Sequence, residues 1–273
     1  MEVRRMSLAR AIRMIVVMLS FLVFLPGLVE AREPVAPVFP KDIETAKVGK
    51  EGVKVAILDS GSNTAFKEGI SLIDGTLKDY NGHGTLMAQI IKESCPNAEL
   101  YIIKVIGKDG LVINEDAVIL GLEWAVAKDV KVINMSLRIK PSQRLYEVIK
   151  KAYAKGIILV AAAGNNDKFS GSYYSLLDAK TSVDSTVPSK EVAYPAKYPE
   201  VIAVGALDQY GKVYNESAQS EEVDLNFRGY RGRRAGTSIA SAYAAGHVAK
   251  IISGNPDLGI NELRSFIHQQ FIK

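Results

Sequence analysis

Three polar residues stand at the edges of hydrophobic runs. Asp59 directly follows the apolar stretch Val53–Leu58, so a strand there would carry a carboxylate at its tip. His83 lies in Asn81-Gly82-His83-Gly84-Thr85, at the entrance to the helical run Leu86–Ile91. The flanking glycines permit close approach of the backbone, and imidazole is the side chain that titrates nearest neutral pH. Ser238 lies in Ala235-Gly236-Thr237-Ser238-Ile239-Ala240-Ser241-Ala242, in the first turn of a helix crowded with Ala240, Ala242, Ala244, Ala245 and Gly246. The positive end of such a helix favours negative charge developing beside the serine. Each signal alone has an ordinary explanation: a turn after a strand, a capping histidine, a capped core helix. Together, Asp then His then Ser is one of the chain orders of the hydrolytic triad. A hydroxyl is a weak nucleophile until a base takes its proton, imidazole suits that task near neutral pH, and a buried carboxylate fixes the imidazole's tautomer.

Elements must hold these groups in place. Val53–Leu58, Leu100–Ile106, Val130–Met135, Ile157–Ala162 and Val201–Leu207 are short and rich in β-branched residues, as strands buried on both faces tend to be. Helical patterns alternate with them. Leu145, Val148, Ile149, Ala152 and Tyr153 follow helical spacing between Pro141-Ser142 and Gly156, and a second helix runs from Asn114 through Val118, Leu122 and Ala125 to about Lys128. The alternation predicts an α/β fold: three layers, a doubly wound, mostly parallel sheet flanked by helices. In open parallel sheets ligands bind at the carboxyl ends of the strands, where Asp59 falls. The segment Asp167–Glu191, rich in Ser, Thr and Gly, is expected to be a long surface loop.

The 273 residues carry 34 Lys and Arg against 30 Asp and Glu and are 48% hydrophobic, which excludes disorder and collagen-like structure. A net charge of +4 is too weak and interspersed to predict nucleic-acid binding. Part of it belongs to residues 1–31, where Arg4, Arg5, Arg10 and Arg13 precede the apolar stretch Ile15–Leu25 and the small or modest-sized residues Val29-Glu30-Ala31. That pattern predicts an export signal peptide, or an uncleaved N-terminal anchor since Met14–Val29 approaches bilayer-spanning length. Either leaves the remaining chain outside the cytoplasmic membrane, periplasmic or secreted. Pro34, Pro37 and Pro40 predict an extended arm over residues 32–51, followed by a globular domain over 52–273. The single cysteine, Cys95, has no partner for an internal disulfide, and three histidines beside it make no zinc-type ligand set.

The chain resembles the subtilisin-like serine proteases over roughly Gly52–Gly254. The resemblance rests on Val55-Ala56-Ile57-Leu58-Asp59-Ser60-Gly61, His83-Gly84-Thr85, Val132-Ile133-Asn134-Met135-Ser136-Leu137, Val160-Ala161-Ala162-Ala163-Gly164-Asn165 and Gly236-Thr237-Ser238, all in family order. It implies a serine endopeptidase with Ser238 as nucleophile, His83 as general base and then acid, and Asp59 orienting His83. Asn165 would be the oxyanion donor, joined by the Ser238 amide. A polypeptide substrate would lie as an added strand against Gly110-Leu111-Val112 and Ser136-Leu137-Arg138, with Ala163, Gly164 and Ala193 completing the binding site. Family members commonly have glycine after the Ser-Leu pair, where this chain has Arg138, Ile139 and Lys140, and Ala193 stands where a pocket-floor glycine is common. The main specificity pocket is therefore expected to be narrowed or charged and to accept large aromatic residues poorly.

The resemblance implies no cofactor. Many family members bind calcium in a loop after the His-bearing helix, but Ile90-Ile91-Lys92-Glu93-Ser94-Cys95-Pro96 runs almost directly toward the next strand, so no metal is expected there. Arg32–Gly52 is too short for a folded inhibitory propeptide, which leaves room for a separate inhibitory or folding partner. Arg228, Arg231, Arg233 and Arg234 precede the serine and read either as a solvated loop or as a site that steers acidic substrates on the leaving-group side. Two other functions stay open on sequence alone: a catalytically silent peptide- or partner-binding domain on the same fold, and an anchored α/β ligand-binding domain in which the three triad residues lie apart. The sequons at Asn134 and Asn215 are expected to be incidental, the former lying in a buried strand.

Overall fold

Hydrophobic runs flanked by helical segments fold here as parallel strands with their crossovers. The computed structural model describes residues 49, 52–110, 112, 114–165, 191–256, 258, 262, 263 and 265, all within the unit Ala36–Lys273. In chain order the elements are β1 (Lys54–Asp59), β2 (Glu68–Ser71), α1 (His83–Ser94), β3 (Glu99–Lys104), α2 (Glu115–Ala127), β4 (Val132–Met135), α3 (Gln143–Ala154), β5 (Ile158–Ala162), β6 (Val201–Leu207), β7 (Leu225–Arg228), β8 (Tyr230–Arg231), β9 (Arg234–Ala235) and α4 (Thr237–Gly254). The expected signal segment and most of the Pro-containing arm lie outside the described residues, as does nearly all of the expected loop Asp167–Glu191. Among the described residues no helix is long and apolar enough to cross a membrane.

Strands β2-β3-β1-β4-β5-β6-β7 form one seven-stranded sheet in that order, every neighbour parallel. Side chains alternate across it, as a period of two demands. Val55, Ile57, Leu100, Ile102, Val132, Val160 and Val204 pack with α1 and α4 on one face, whereas Ala56, Leu58, Tyr101, Ile103, Ile133, Met135, Leu159 and Ala161 pack with α2 and α3 on the other. These are the three layers of the doubly wound α/β fold that the sequence predicts. Each fully buried Ile or Leu among them contributes roughly 1.5–3 kcal/mol through the area it removes from water.

Local signals start the outer helices. The Asn114 side chain accepts from Ala117 N–H at 2.7 Å to cap α2, and Ser142 Oγ accepts from Leu145 N–H at 3.0 Å to cap α3. Helix α4 is buried on almost every side, which its alanines allow. A Cβ on Gly246 would lie 2.6 Å from the Ser94 Cβ, so α1 and α4 touch closely.

Strand order reverses at β1, which pairs with β3 on one side and β4 on the other, with Leu58 opposite Met135. The crevice of such a sheet opens beyond these carboxyl ends. The structure differs from expectation at the margins. Strand β3 stops at Lys104, and Ile106 instead forms an isolated antiparallel bridge with Val112. Strands β2 and β7 extend the two edges, and the arginine-rich stretch forms a small β8–β9 hairpin with Tyr230 opposite Ala235.

Candidate active site

Strand β1 delivers Asp59 to the crevice with no solvent exposure. Its Oδ1 accepts from the Ser60 amide at 2.8 Å and the Ser60 hydroxyl at 3.2 Å. His83 is the first residue of α1, and its Nδ1 lies 2.8 Å from Asp59 Oδ1 and 3.0 Å from Oδ2. That contact directs Nδ1–H to the carboxylate and leaves Nε2 as the nitrogen able to take a proton. Gly84 makes the approach possible, since a Cβ there would fall 2.2 Å from the Gly61 carbonyl oxygen and 3.2 Å from Asp59 Oδ1.

Electrostatics tune the imidazole. Burial alone would push His83 down, but the Asp59 charge, its hydrogen bond and the more distant Asp79 charge together hold it above its ordinary value of 6.5, with Arg234 opposing them. The ring keeps an open edge, its side chain being 18% exposed.

Sequence reasoning missed Asp79. It is buried, and its Oδ1 accepts from the amides of Asn81 at 3.0 Å and Gly82 at 2.7 Å and from Ser60 Oγ at 2.9 Å. Its Oδ2 accepts from the amide of Thr85 at 2.8 Å and from Thr85 Oγ1 at 2.6 Å. Ser60 Oγ also accepts from Gly84 N–H at 3.0 Å, so one hydroxyl ties both carboxylates to the start of α1. Burial would raise the Asp79 carboxyl, yet its bonds to Thr85, Gly82 and Ser60 outweigh that and hold it below its ordinary 3.8. The available signal was an Asp four residues before the histidine whose side chain can bond the amides two and three residues on.

Ser238 is the second residue of α4, partly exposed at the helix start. Its carbonyl accepts from Ser136 Oγ at 3.1 Å and Ser241 Oγ at 3.0 Å, which fasten the start of α4 to the segment leaving β4. Ser136 Oγ also lies 3.3 Å from Met87 Sδ on α1. Its hydroxyl is thus spent inside the protein, and any substrate contact at Ser136 or the buried Leu137 falls to the backbone. Asn165, beyond β5, accepts through Oδ1 from Thr237 N–H at 2.9 Å and Thr237 Oγ1 at 3.1 Å. These bonds assign the amide, so Nδ2 is its donor end. That Nδ2 and the Ser238 N–H, one of the first-turn amides that have no intrahelical acceptor, are donors at the start of α4.

Of the expected binding residues, Arg138, Ala163, Gly164 and Ala193 are brought close together. Gly110 sits in a turn, its N–H donating to the Gly107 carbonyl at 3.0 Å, and Leu111 lies outside the described residues. Ala163 is buried and accepts from Ala193 N–H at 2.8 Å, while Ile139 N–H donates to the Tyr194 carbonyl at 3.1 Å. Arg138 Nη2 donates to the Asn165 carbonyl at 3.1 Å. A Cβ built on Gly164 would meet Ala193 Cβ at 3.2 Å and Arg138 Nη2 at 3.4 Å, so all three converge on one small volume beside Asn165.

Of the basic cluster, Arg228 donates through Nε to the Tyr230 carbonyl and stacks over Tyr230 and Tyr243 at 4.7 and 5.1 Å. Arg231 Nη1 lies 2.8 Å from Glu93 Oε2, a charge contact rather than an aligned hydrogen bond. Arg233 and Arg234 are exposed. Cys95 is buried, its Sγ 3.1 Å from Asn97 Oδ1, and burial pushes its thiol up, away from nucleophilic thiolate character. Asn134 has no solvent exposure, as expected for a sequon within a buried strand.

The profile of the Subtilase family matches residues 50–271. Subtilisin DY of Bacillus licheniformis is 34% identical over 256 residues, covering 82% of this chain and 86% of that protein. The thermostable alkaline protease of Halalkalibacterium halodurans is 31% identical over 244 residues, 80% of this chain but 62% of the relative. Among solved structures, sphericase superposes with a TM-score of 0.64 at 24% identity, over 84% of this chain and 87% of that one. A family match over most of the chain, on a doubly wound sheet with Asp59, His83 and the start of α4 at its carboxyl edge, gives the conclusion that the chain belongs to the subtilase family of serine-type endopeptidases.

Proposed function

We propose that the protein is an exported endopeptidase that cleaves polypeptides through an acyl-enzyme, with Ser238 as nucleophile, His83 as base and then acid, and Asp59 as the carboxylate that orients His83. The observation that carries this reading is the pair of contacts from His83 Nδ1 to Asp59 at 2.8 and 3.0 Å, at the carboxyl edge where α4 begins with Thr237-Ser238. Ser238 Oγ gives its proton to His83 Nε2 as it attacks the scissile carbonyl. The tetrahedral oxyanion then rests on Asn165 Nδ2 and the Ser238 amide, and His83 passes the proton to the leaving amine. Water repeats the sequence in reverse to free Ser238. No step calls for a metal or cofactor.

The substrate runs as an extended strand between Gly110-Leu111 and Ser136-Leu137-Arg138, with Ala163, Gly164 and Ala193 at the residue before the cut. Export is supported by the arginines and apolar stretch of residues 1–31. A fluorophosphonate probe tests the central claim. Wild-type protein is expected to be labelled and Ser238→Ala not; an unlabelled wild type overturns the reading and favours a silent peptide-binding domain.

A further inference from the structure

Lys104 ends β3, paired in register with Asp59 at the tip of β1, and its side chain is only 1% exposed. An ammonium taken out of water costs free energy unless its N–H groups find acceptors, and an apolar residue of similar volume often serves stability as well. The acceptors here all belong to the segment that joins β2 to α1. Lys104 Nζ donates to Asp74 Oδ2 at 2.6 Å and to the Lys78 carbonyl at 2.8 Å, and it lies 5.0 Å from the centre of the Tyr80 ring. The Lys78 carbonyl and the Asp79 N–H are two sides of one planar peptide group. Lys104 holds the oxygen side. Asn63 holds the other, its Oδ1 accepting from Asp79 N–H at 3.1 Å and its Nδ2 donating to the Asp79 carbonyl at 2.8 Å. The Asp79 backbone is thereby fixed, and its carboxylate accepts from the amides of Gly82 and Thr85, on either side of His83.

We propose that Lys104 is a positioning residue for catalysis: its buried ammonium fixes the peptide group that places Asp79, and through Asp79 the start of α1 that presents His83 to Asp59. The inference rests on the proposed role of His83 as the base. An apolar side chain could fill the same space but could not hold a carbonyl and a carboxylate at once, which is what fastens the segment at Asp74 and again at Lys78. The charges that act on the imidazole are Asp59 on β1, Asp79 in this segment and Arg234 on β9. Releasing Asp79 therefore misplaces the ring and also removes one of its two acidic neighbours. Loss of the Lys104 charge acting only through space would have the opposite electrostatic sign.

The test is Lys104→Met, which keeps an unbranched side chain, removes the ammonium and leaves Asp74, itself 39% exposed, to solvent. On a neutral peptide kcat should fall by about tenfold to a hundredfold with KM nearly unchanged, and the acid limb of kcat/KM should move to lower pH. A limb that moves to higher pH would show a charge acting through space, and a lower rate with an unmoved limb would show only lost folded protein; either overturns the inference. Asp74→Ala covers a Lys104→Met protein that does not fold, because it loosens the same anchor from the exposed side. It should move the limb down in the wild-type background and leave it in place in an Asp79→Asn background, whereas equal shifts in the two backgrounds, zero included, overturn the inference. Wild-type turnover together with any of these overturning results leaves the peptidase reading standing and removes only the role of Lys104. A wild type with neither turnover nor fluorophosphonate labelling removes both.

Discussion

At the scale of single residues, His83 sits among three charges that pull in different directions. Asp59 and Asp79 raise its pKa and Arg234 lowers it. A base must be unprotonated to accept the serine proton, so the acid limb of kcat/KM reports this balance. Arg234→Gln should move that limb to higher pH and Asp79→Asn should move it to lower pH, both measured on a neutral peptide. Movement of the two limbs in the same direction would contradict the arrangement of charges around the ring. Asp79→Asn should also cost about 1–3 kcal/mol of stability, because one of its oxygens becomes a donor facing amides and hydroxyls that themselves donate. The exposed Arg233 and Arg234 belong to the β8–β9 hairpin, and the Arg234 charge reaches His83. If they steer substrate, cleavage of peptides acidic after the cut should fall steeply from low to high salt, as exposed charge effects do. Equal rates at both ionic strengths would reduce the pair to a solvated hairpin.

At the scale of elements, the site depends on how closely α1 approaches the tip of β1. Gly84→Ala places a methyl 2.2 Å from the Gly61 carbonyl oxygen, so the start of α1 must move and carry His83 with it. A displacement near 1 Å costs about a hundredfold in rate, and kcat/KM should fall by that order even where the protein still folds. Ser142→Ala is the contrasting case. It removes the cap of α3 on the opposite face of the sheet, together with the bond from Ser142 Oγ to Glu115, and should cost about 1 kcal/mol by denaturant titration without changing kcat/KM. The same elements explain what could be read in advance. β5 and β6 are unbroken apolar runs and β1 is one from Val55 to Leu58; Asp59 ends β1 and His83 opens α1 after a glycine turn, so both are legible without coordinates. Glu68-Gly69-Ile70-Ser71 and Leu225-Asn226-Phe227-Arg228 are too short and mixed to announce strands, and they become so by pairing with β3 and β6. Asp79 reads as an ordinary turn acid until its burial is seen. The substitution of Arg138 for glycine was visible, whereas the direction in which its guanidinium turns, into the volume shared by Gly164 and Ala193, is a tertiary property.

At the scale of the whole molecule, stability and catalysis make opposite demands on pH. His83 has a folded pKa raised above 6.5, so its contribution to stability is complete below the unfolded value and is lost as pH rises through the folded one. Asp79 has a folded pKa held below 3.8, so its contribution is present above that value and is lost as pH falls through the lowered one. Asp74, bound by the buried Lys104 at 2.6 Å, acts in the same sense but more weakly, since its side chain is 39% exposed. These groups together favour the folded state between the carboxylate range and the His83 pKa. On the proposed mechanism activity should rise only above that pKa, where His83 is neutral and can act as base. The protein should therefore be least stabilised by its own active site where it works fastest. Measured in a Ser238→Ala background to prevent self-cleavage, the Tm advantage of His83 over a His83→Gln substitution should shrink across the same pH interval in which wild-type kcat/KM climbs. An advantage that stays constant or grows through that interval would mean that the folded site binds the His83 proton no more tightly than the unfolded chain does, contrary to the pairing with Asp59.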